Sequence, residues 1–263
     1  MTTSSARSHL VFGDDGSPGA DVAWLWITCQ QWPGWRMTVL RADPPPLGTT
    51  VDPAEAGAHP DDHAGRPIVS DAGLDSVDFQ VAAADPRIAL TSVADTDLLV
   101  VGDATSGIGR RRIGSTTEWL LHDPLAPMVL ARRGRPVRRA MVCADGSRHA
   151  AAAASALASL PWSADLAVEV ISIDDGRSDP VAAISAITEL LPTRTEVVRS
   201  TRRGSSPHRE ILEAAEQSDP DLIVLGTHGL TTMRRLTFGS TASAIARQAS
   251  CSVLVAQHTR VDA

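Results

Sequence analysis

The feature that most constrains the fold is an internal repeat, because the same short signals recur in the same order in both halves of the 263-residue chain. Each half has an apolar run ending in Asp-Gly-Ser, a later Asp-Leu-x-Val-x-Gly run, a Gly-Ser-Thr triplet and a closing apolar run. The matched pairs are residues 15–17 with 145–147, 97–102 with 221–226, 114–116 with 239–241, and 128–131 with 253–256. This fixed order indicates a duplicated unit. We therefore predict two domains, 1–134 and 135–263, which meet within a basic Pro/Gly stretch.

Strand and helix signals alternate in the second unit and predict an α/β fold. Short apolar runs indicate buried strands, and the Ala-rich or periodic segments between them indicate helices. The predicted strands are 139–144, 166–173, 195–198, 222–225 and 253–256, and the predicted helices are 150–160, 180–191, 207–216 and 240–249. Such alternation is typical of a mostly parallel sheet covered on both faces. We expect two tandem doubly wound domains, each with a mostly parallel five-stranded sheet flanked by helices.

The first unit follows the same plan less closely. The predicted strands are 10–13, 37–40, 77–83 and 98–101, and the predicted helices are 20–31, 85–94 and one that includes 118–121. Residues 43–75 are rich in Pro, Gly, Ala and Asp, so we predict no helix there. Four tryptophans are interpreted as core or interface packing residues rather than base-stacking platforms, namely Trp24, Trp26, Trp119 and Trp162.

Composition excludes several classes of function. The net charge of −7 gives no basic field for nucleic acid or an anionic membrane, so we expect neither as a partner. The three cysteines are far apart and show no disulfide or metal spacing, which favours a reducing compartment. There is no apolar signal core near Met1 and no apolar run long enough to cross a bilayer. These observations together favour a cytoplasmic protein.

A glycine-rich loop in the second unit carries the clearest chemical signal. The motif Gly226-x2-Gly229-x9-Gly239-Ser240-Thr241 follows a predicted strand and leads into a predicted helix. Glycine lets the backbone approach a phosphate closely, and a helix N-terminus favours an anion. The same pattern also fits a purely structural turn capped by Ser240. The loop has no Gly-Lys-Ser/Thr sequence, so a Walker-type ATPase is not indicated.

Asp145 strengthens the interpretation of this loop as a binding site. It follows the first strand of its unit, so it should face the same carboxyl edge of the sheet as the glycine loop. A carboxylate there can accept hydrogen bonds from ribose hydroxyls. The alternative, that Asp145, Gly146 and Ser147 form a turn and cap the next helix, fits the sequence equally well.

Taken together, these residues resemble the universal stress protein family, and the complete glycine motif resembles its ATP-binding branch. The resemblance implies ATP, possibly with Mg²⁺, in the crevice of the second unit. Asp145 would hold the ribose, Ser172 would meet adenine through its backbone, and the glycines with Ser240 would line the phosphates. The implied binding residues are Asp145, Gly146, Ser147, Ser172, Gly226, His228, Gly229, Arg235, Gly239, Ser240 and Thr241.

The first unit departs from the motif. Its loop is one residue shorter than that of the second unit, and Thr105 stands where the second glycine is expected. Asp103 would add negative charge near a phosphate, although arginines 110–112 could offset it, and Arg41 falls at the position that would contact adenine. We therefore expect a weakened or altered nucleotide site in this unit.

The leading functional hypothesis is a cytoplasmic ATP-binding stress-response or regulatory protein in which nucleotide occupancy is the signal. Little or no turnover is expected, because no activated nucleophile accompanies His228. The alternative is a protein-interaction module that keeps the fold and has lost the ligand. Asp174 and Asp175 are interpreted as a solvated turn rather than a metal site, so no protein-bound metal is expected.

The resemblance also implies an internal pseudo-dimer of the two units, which would pair through the last strand of each. These strands are 128–131 and 253–256. Whether two whole chains form a homodimer stays open.

Overall fold

The computed structural model describes residues 8–44, 66, 72–103, 113–229 and 238–258, and these residues form one continuous sheet covered by helices. The strands are β1 Ser8–Gly13, β2 Trp35–Ala42, β3 Ser76–Ala82, β4 Leu98–Gly102, β5 Met128–Ala131, β6 Arg139–Cys143, β7 Ala167–Asp174, β8 Glu196–Arg203, β9 Leu222–Gly226 and β10 Ser252–Ala256. The helices are α1 Pro18–Thr28, α2 Pro86–Ser92, α3 Ser115–His122, α4 Arg148–Ser159, α5 Pro180–Leu190, α6 Pro207–Ser218 and α7 Ser240–Gln248. The predicted α/β fold is confirmed.

The order of the strands shows how the two halves are joined. It is β3-β2-β1-β4-β5-β10-β9-β6-β7-β8, so each half contributes five neighbouring strands. All pairs within a half are parallel, whereas β5 and β10 pair antiparallel, with Val253 opposite Leu130. The last strand of each half therefore closes the free edge of the other half, which is the pairing that the family resemblance implied.

Apolar side chains cover both faces of the sheet across both halves. One buried cluster packs under α1, α4 and α5, and the other packs under α2, α3, α6 and α7. Trp26, Trp32 and Trp162 meet in the first cluster, and the centroid of each ring lies 6.0 to 6.2 Å from the other two. Trp162 belongs to the second half, so this contact also ties the halves together.

The structure corrects one predicted strand boundary. The third strand of the second half was expected at 195–198, but β8 extends to Arg203, because it is an edge strand that alternates between exposed and half-buried residues. A polar edge strand has no continuous apolar run to mark its length. Trp119 lies on α3 with 46% of its surface exposed, so it does not belong to the core, and its expected role in interface packing stays a prediction. Of the described helices, none is both long and apolar enough to cross a membrane.

Candidate functional site

A cleft opens at the carboxyl ends of β6, β7 and β9, between α6 and α7. The chain leaves β6 for β7 on one side, whereas β9 flanks β6 on the other side. This is the point in an open parallel sheet where ligands usually bind. The described lining residues are Cys143, Ala144, Asp145, Ala150, Ile171, Ile173, Asp175, Arg177, Ser178, Pro207, Ile211, Leu225, Gly226, Thr227, Gly229, Gly239, Ser240, Thr241 and Ala242.

Asp145 stands at one side of this cleft, at the tip of the turn that follows β6. Gly146 has a φ of +77°, and the Asp145 Oδ1 accepts the Ser147 N–H at 2.9 Å. The Ser147 hydroxyl caps α4 by accepting the Ala150 N–H at 3.1 Å, and it donates to the His228 carbonyl at 3.3 Å. The turn and the cap are therefore real, and the Asp145 side chain also lines the cleft. The two interpretations of this motif are compatible.

The three glycines of the motif let the loop lie closer to its neighbours than any side chain would allow. A Cβ on Gly226 would lie 2.5 Å from the carbonyl carbon of His149, in the first turn of α4. A Cβ on Gly229 would lie 2.9 Å from the Asp145 Oδ2. Gly239 donates its N–H to the Thr227 carbonyl at 2.9 Å, and a Cβ there would overlap that oxygen at 2.6 Å. The glycines therefore hold the loop against α4 and Asp145.

The helix that follows the loop begins at the cleft without a capping side chain. Gly239 is the N-cap of α7, and no side chain accepts a hydrogen bond from the first turn in the described part of the chain. The expectation that Ser240 caps this helix is wrong, because Ser240 is already its first helical residue. Ser240 and Thr241 both line the cleft. The first-turn amides and the positive end of the helix dipole are therefore available to an anion.

A pair of histidines supports the loop from behind. The Thr227 hydroxyl lies 3.0 Å from the His228 Nδ1 and 3.4 Å from the His149 Nδ1, and the two rings are 5.3 Å apart. The His149 Nδ1 also accepts the backbone N–H of His258 at 3.1 Å. Burial, and then the neighbouring His228, hold the pKa of His149 below its ordinary value. His149 is therefore built into the support of the loop as a neutral acceptor.

The eleven binding residues predicted from the sequence fall into four groups. Those that line the cleft are Asp145, Gly226, Gly229, Gly239, Ser240 and Thr241. Gly146, Ser147 and His228 belong to the turns that carry Asp145 and Gly229 and are not among the described lining residues, and Arg235 lies outside the described residues. Ser172 is 1% exposed and points away from the cleft, because its neighbours Ile171 and Ile173 line it. The expected backbone contact of Ser172 with adenine stays a prediction.

The structure adds apolar and charged residues that sequence reasoning missed. Ile171, Ile173 and Ile211 form apolar walls, and their only signal in the sequence was that they belong to predicted elements. Asp175 and Arg177 come from the turn after β7, in which the Asp175 Oδ1 accepts the Arg177 N–H at 3.0 Å. That turn agrees with the interpretation of Asp174 and Asp175 as a turn. Among the described residues, no group of three acidic, His or Cys side chains is arranged to hold a metal.

The corresponding region of the first half is arranged differently. Gly13 stands where the second half has Cys143, and two carbons of the Leu90 side chain lie within 3.3 Å of the place of a Gly13 Cβ. Leu90 therefore packs directly onto the sheet at the apolar wall. Gly102 packs against the backbone of Gly19, because a Cβ on Gly102 would lie only 2.2 Å from the Gly19 carbonyl carbon.

Asp103 also differs from what the sequence predicts. It was expected to add negative charge beside a phosphate, but it is 2% exposed and pairs with the equally buried Arg132 at 2.8 Å. Its charge is therefore neutralised by Arg132, inside the protein. The arginines at 110–112 lie outside the described residues. Arg41 reaches Asp43 at 3.5 Å, and both side chains are largely exposed.

Sequence comparisons show similarity to universal stress proteins, and the match to the family model lies in the second half. The sequence model of the Universal stress protein family matches residues 183–257. A universal stress protein from Methanocaldococcus jannaschii is 47% identical over 49 residues, which are 19% of this chain and 29% of that protein. One from Synechocystis sp. is 22% identical over 165 residues, which are 61% of this chain and 58% of that protein. The chain thus spans less than two thirds of both curated relatives.

Solved structures match the fold over nearly the whole chain. A universal stress protein from Archaeoglobus fulgidus superposes with a TM-score of 0.73 and 18% identity, covering 97% of this chain and all of that one. A functionally unknown protein from Pseudomonas aeruginosa gives a TM-score of 0.60 and 16% identity, covering 95% and 92%. The family-model match and the curated relatives support the predicted resemblance to the universal stress protein family, and the solved structures show that the chain shares its fold. The family-model match lies in the second half, and the fold match extends over both halves.

Proposed function

We propose that the second-half cleft binds an adenine nucleotide, ATP by preference, and that its occupancy acts as a regulatory or stress signal. The observation that carries the proposal is the juxtaposition of Asp145 and the uncapped start of α7 at one apolar-walled cleft. A carboxylate suits ribose hydroxyls, a helix N-terminus suits phosphates, and apolar walls suit a base. The three parts of a nucleotide thus find three matching surfaces.

The size of the cavity suggests how the nucleotide would lie. Its volume is about 150 Å³. Pockets that enclose a whole drug-sized ligand usually measure about 300 to 1,000 Å³. We therefore propose that the cavity encloses the base and ribose, and that the phosphates extend along Gly239 and Ser240 at the start of α7. Mg²⁺ would accompany the triphosphate and neutralise part of its charge.

Slow or absent turnover is part of the proposal. Among the described lining residues, Thr227 carries a hydroxyl that lies beside an imidazole, that of His228. Thr227 is fully buried. A buried hydroxyl held by two histidines is poorly placed to attack a phosphate. Occupancy rather than hydrolysis would then be what a partner detects. We further propose that the protein acts in the cytoplasm and that residues 1–134 and 135–263 are its two domains.

A second candidate, a protein-interaction role without nucleotide, is favoured by the first half. Leu90 occupies the apolar wall there, and Asp103 is used by a buried ion pair. We therefore assign nucleotide binding to the second half and propose that the first half serves as its partner.

The test is equilibrium binding of ATP to the full chain, together with identification of any adenine nucleotide released on denaturation. We expect about one nucleotide per chain. Asp145→Ala should weaken binding about 10- to 100-fold, because a hydrogen bond to a charged group is worth about 1.5 to 3 kcal/mol. The matched control is Asp15→Ala at the equivalent position of the first half. Equal affinities for wild type and both variants would refute the assignment of the site.

A further inference from the structure

The last turn of α3, in the first half, reaches the phosphate-loop side of the second half. The His122 Nδ1 accepts the backbone N–H of Phe238 at 3.4 Å, and the two rings are 6.2 Å apart. The next residue, Asp123, accepts a hydrogen bond from the Gln257 side chain at 2.8 Å, just beyond β10. One turn earlier, Glu118 pairs with Arg247 of α7. Polar contacts from one helix therefore cross between the halves at three points.

The contact at Phe238 lies directly before the start of α7. Gly239 is the N-cap of that helix, and Ser240 and Thr241 line the cleft. Within the second half, the hydrogen bond from the Gly239 N–H to the Thr227 carbonyl holds this point at 2.9 Å. His122 adds a second anchor one residue earlier, from the other half. The direction of the first-turn amides of α7 therefore depends on both halves.

The opposite end of α7 is held from the first-half side as well. The guanidinium of Arg132 donates to the carbonyls of Ala249, at 3.0 Å, and Ala246. These carbonyls belong to the negative end of the helix, where a cation is favourable. Arg132 follows β5 and is itself paired with Asp103. The helix whose N-terminus lines the cleft is thus fixed at both ends by residues outside its own half.

We infer that the first half is a positioning partner of the second-half cleft, and that His122 is a positioning residue for the start of α7. The inference rests on the proposed nucleotide site and gives the first half a specific part in it. His122 acts through Phe238 and Gly239 and does not touch the ligand. An acceptor at the position of its Nδ1 is the required chemistry, and an asparagine side chain carries such an acceptor in its Oδ1.

The test uses the full chain and two independent measurements on His122→Ala and His122→Asn. The first is amide hydrogen exchange at Phe238 without nucleotide, and the second is the dissociation constant for ATP. Glu118→Gln is the control, because it weakens the ion pair between Glu118 and Arg247, which joins α3 to the far end of α7 rather than to Phe238.

We expect His122→Ala to accelerate exchange at Phe238 and to weaken ATP binding about 2- to 12-fold, the effect of one net hydrogen bond. His122→Asn should keep the exchange rate at Phe238 and the affinity for ATP near their wild-type values, because asparagine retains the acceptor. Glu118→Gln should also leave both quantities near wild type. Unchanged exchange at Phe238 in His122→Ala would overturn the positioning role, and altered exchange with unchanged affinity would overturn its link to the cleft. Failure of the wild type to bind ATP would instead refute the proposed function, and the exchange result would still decide the positioning of α7.

Discussion

The buried ion pair between Asp103 and Arg132 allows a quantitative test of how the two halves are joined. Each side chain is 2% exposed, and their charged atoms lie 2.8 Å apart. Arg132 also donates to carbonyls at the end of α7, and the Oδ1 of Asp103 is buried without a hydrogen-bond partner in the described part of the structure. Removal of either charge leaves the other buried in a medium that solvates it poorly.

The expected cost follows from this burial. Breaking a buried pair by removing one partner costs about 3 to 5 kcal/mol of unfolding free energy. Asp103→Asn should lie near 3 kcal/mol on that scale, because the carbonyls at the end of α7 still compensate Arg132. Arg132→Met should lie near 5 kcal/mol on the same scale, because it leaves the Asp103 carboxylate without its cation. The double variant should cost less than the sum of the two, since it removes both charges.

The assay is urea denaturation of the full chain, followed by circular dichroism, with the four proteins of a double-mutant cycle. The control is Glu118→Gln, which breaks the ion pair between Glu118 and Arg247, whose side chains are 43% and 46% exposed. An exposed pair of this kind contributes about 0 to 1 kcal/mol. If Asp103→Asn lowered the unfolding free energy no more than Glu118→Gln does, Asp103 and Arg132 would not be a buried, mutually dependent ion pair.

Three further predictions follow from the same structure. A fragment lacking residues 1–131 should self-associate in size-exclusion chromatography, because the edge of β10 loses its partner, and a stable monomer would count against this. Gly226→Ala should cost about 1 to 3 kcal/mol in urea denaturation and weaken ATP binding, because its Cβ would lie 2.5 Å from the His149 backbone, whereas Gly229→Ala should weaken binding with a smaller loss of stability. Folding lowers the pKa of His149 below its ordinary value of 6.5, chiefly because the imidazole is buried. As the pH falls through 6.5, His149 is therefore protonated in the unfolded chain before it is protonated in the folded chain, which favours unfolding. Stability should therefore decrease between pH 7.5 and 5.5, less so in His149→Asn, and an equal decrease in both proteins would exclude His149 as a source.

Much of the fold follows from local patterns that survive in one sequence. Buried parallel strands such as β9 are short apolar runs, and they are recognisable because both faces of the strand are covered. The duplicated signals identified three strands of each half, and apolar runs between them identified the other two. The antiparallel pairing of β5 with β10 was expected only from the resemblance to a family, because nothing in two apolar tetrapeptides specifies which edge each one joins.

The candidate site was predictable where the chemistry depends on residue type and backbone conformation. Asp145 could be named because it precedes Gly146, which adopts a positive φ, and the three glycines because few residues let a backbone lie so close to its neighbours. Arg177 and Ile211 were missed, since they reach the cleft from a turn and a helix face that are distant in sequence.

The sequence by itself determined the repeat, the α/β alternation and the glycine motif, because periodicity and glycine positions are local properties of the chain. The sequence also showed that the first copy departs from the motif, but only the tertiary structure decided which contacts its differing residues make. Leu90 packs onto Gly13 in the first half, and Asp103 is neutralised by Arg132, which also holds the end of α7. These are contacts between residues 29 to 117 positions apart. Their energies depend on burial and on the partner that the fold supplies, which no local pattern records.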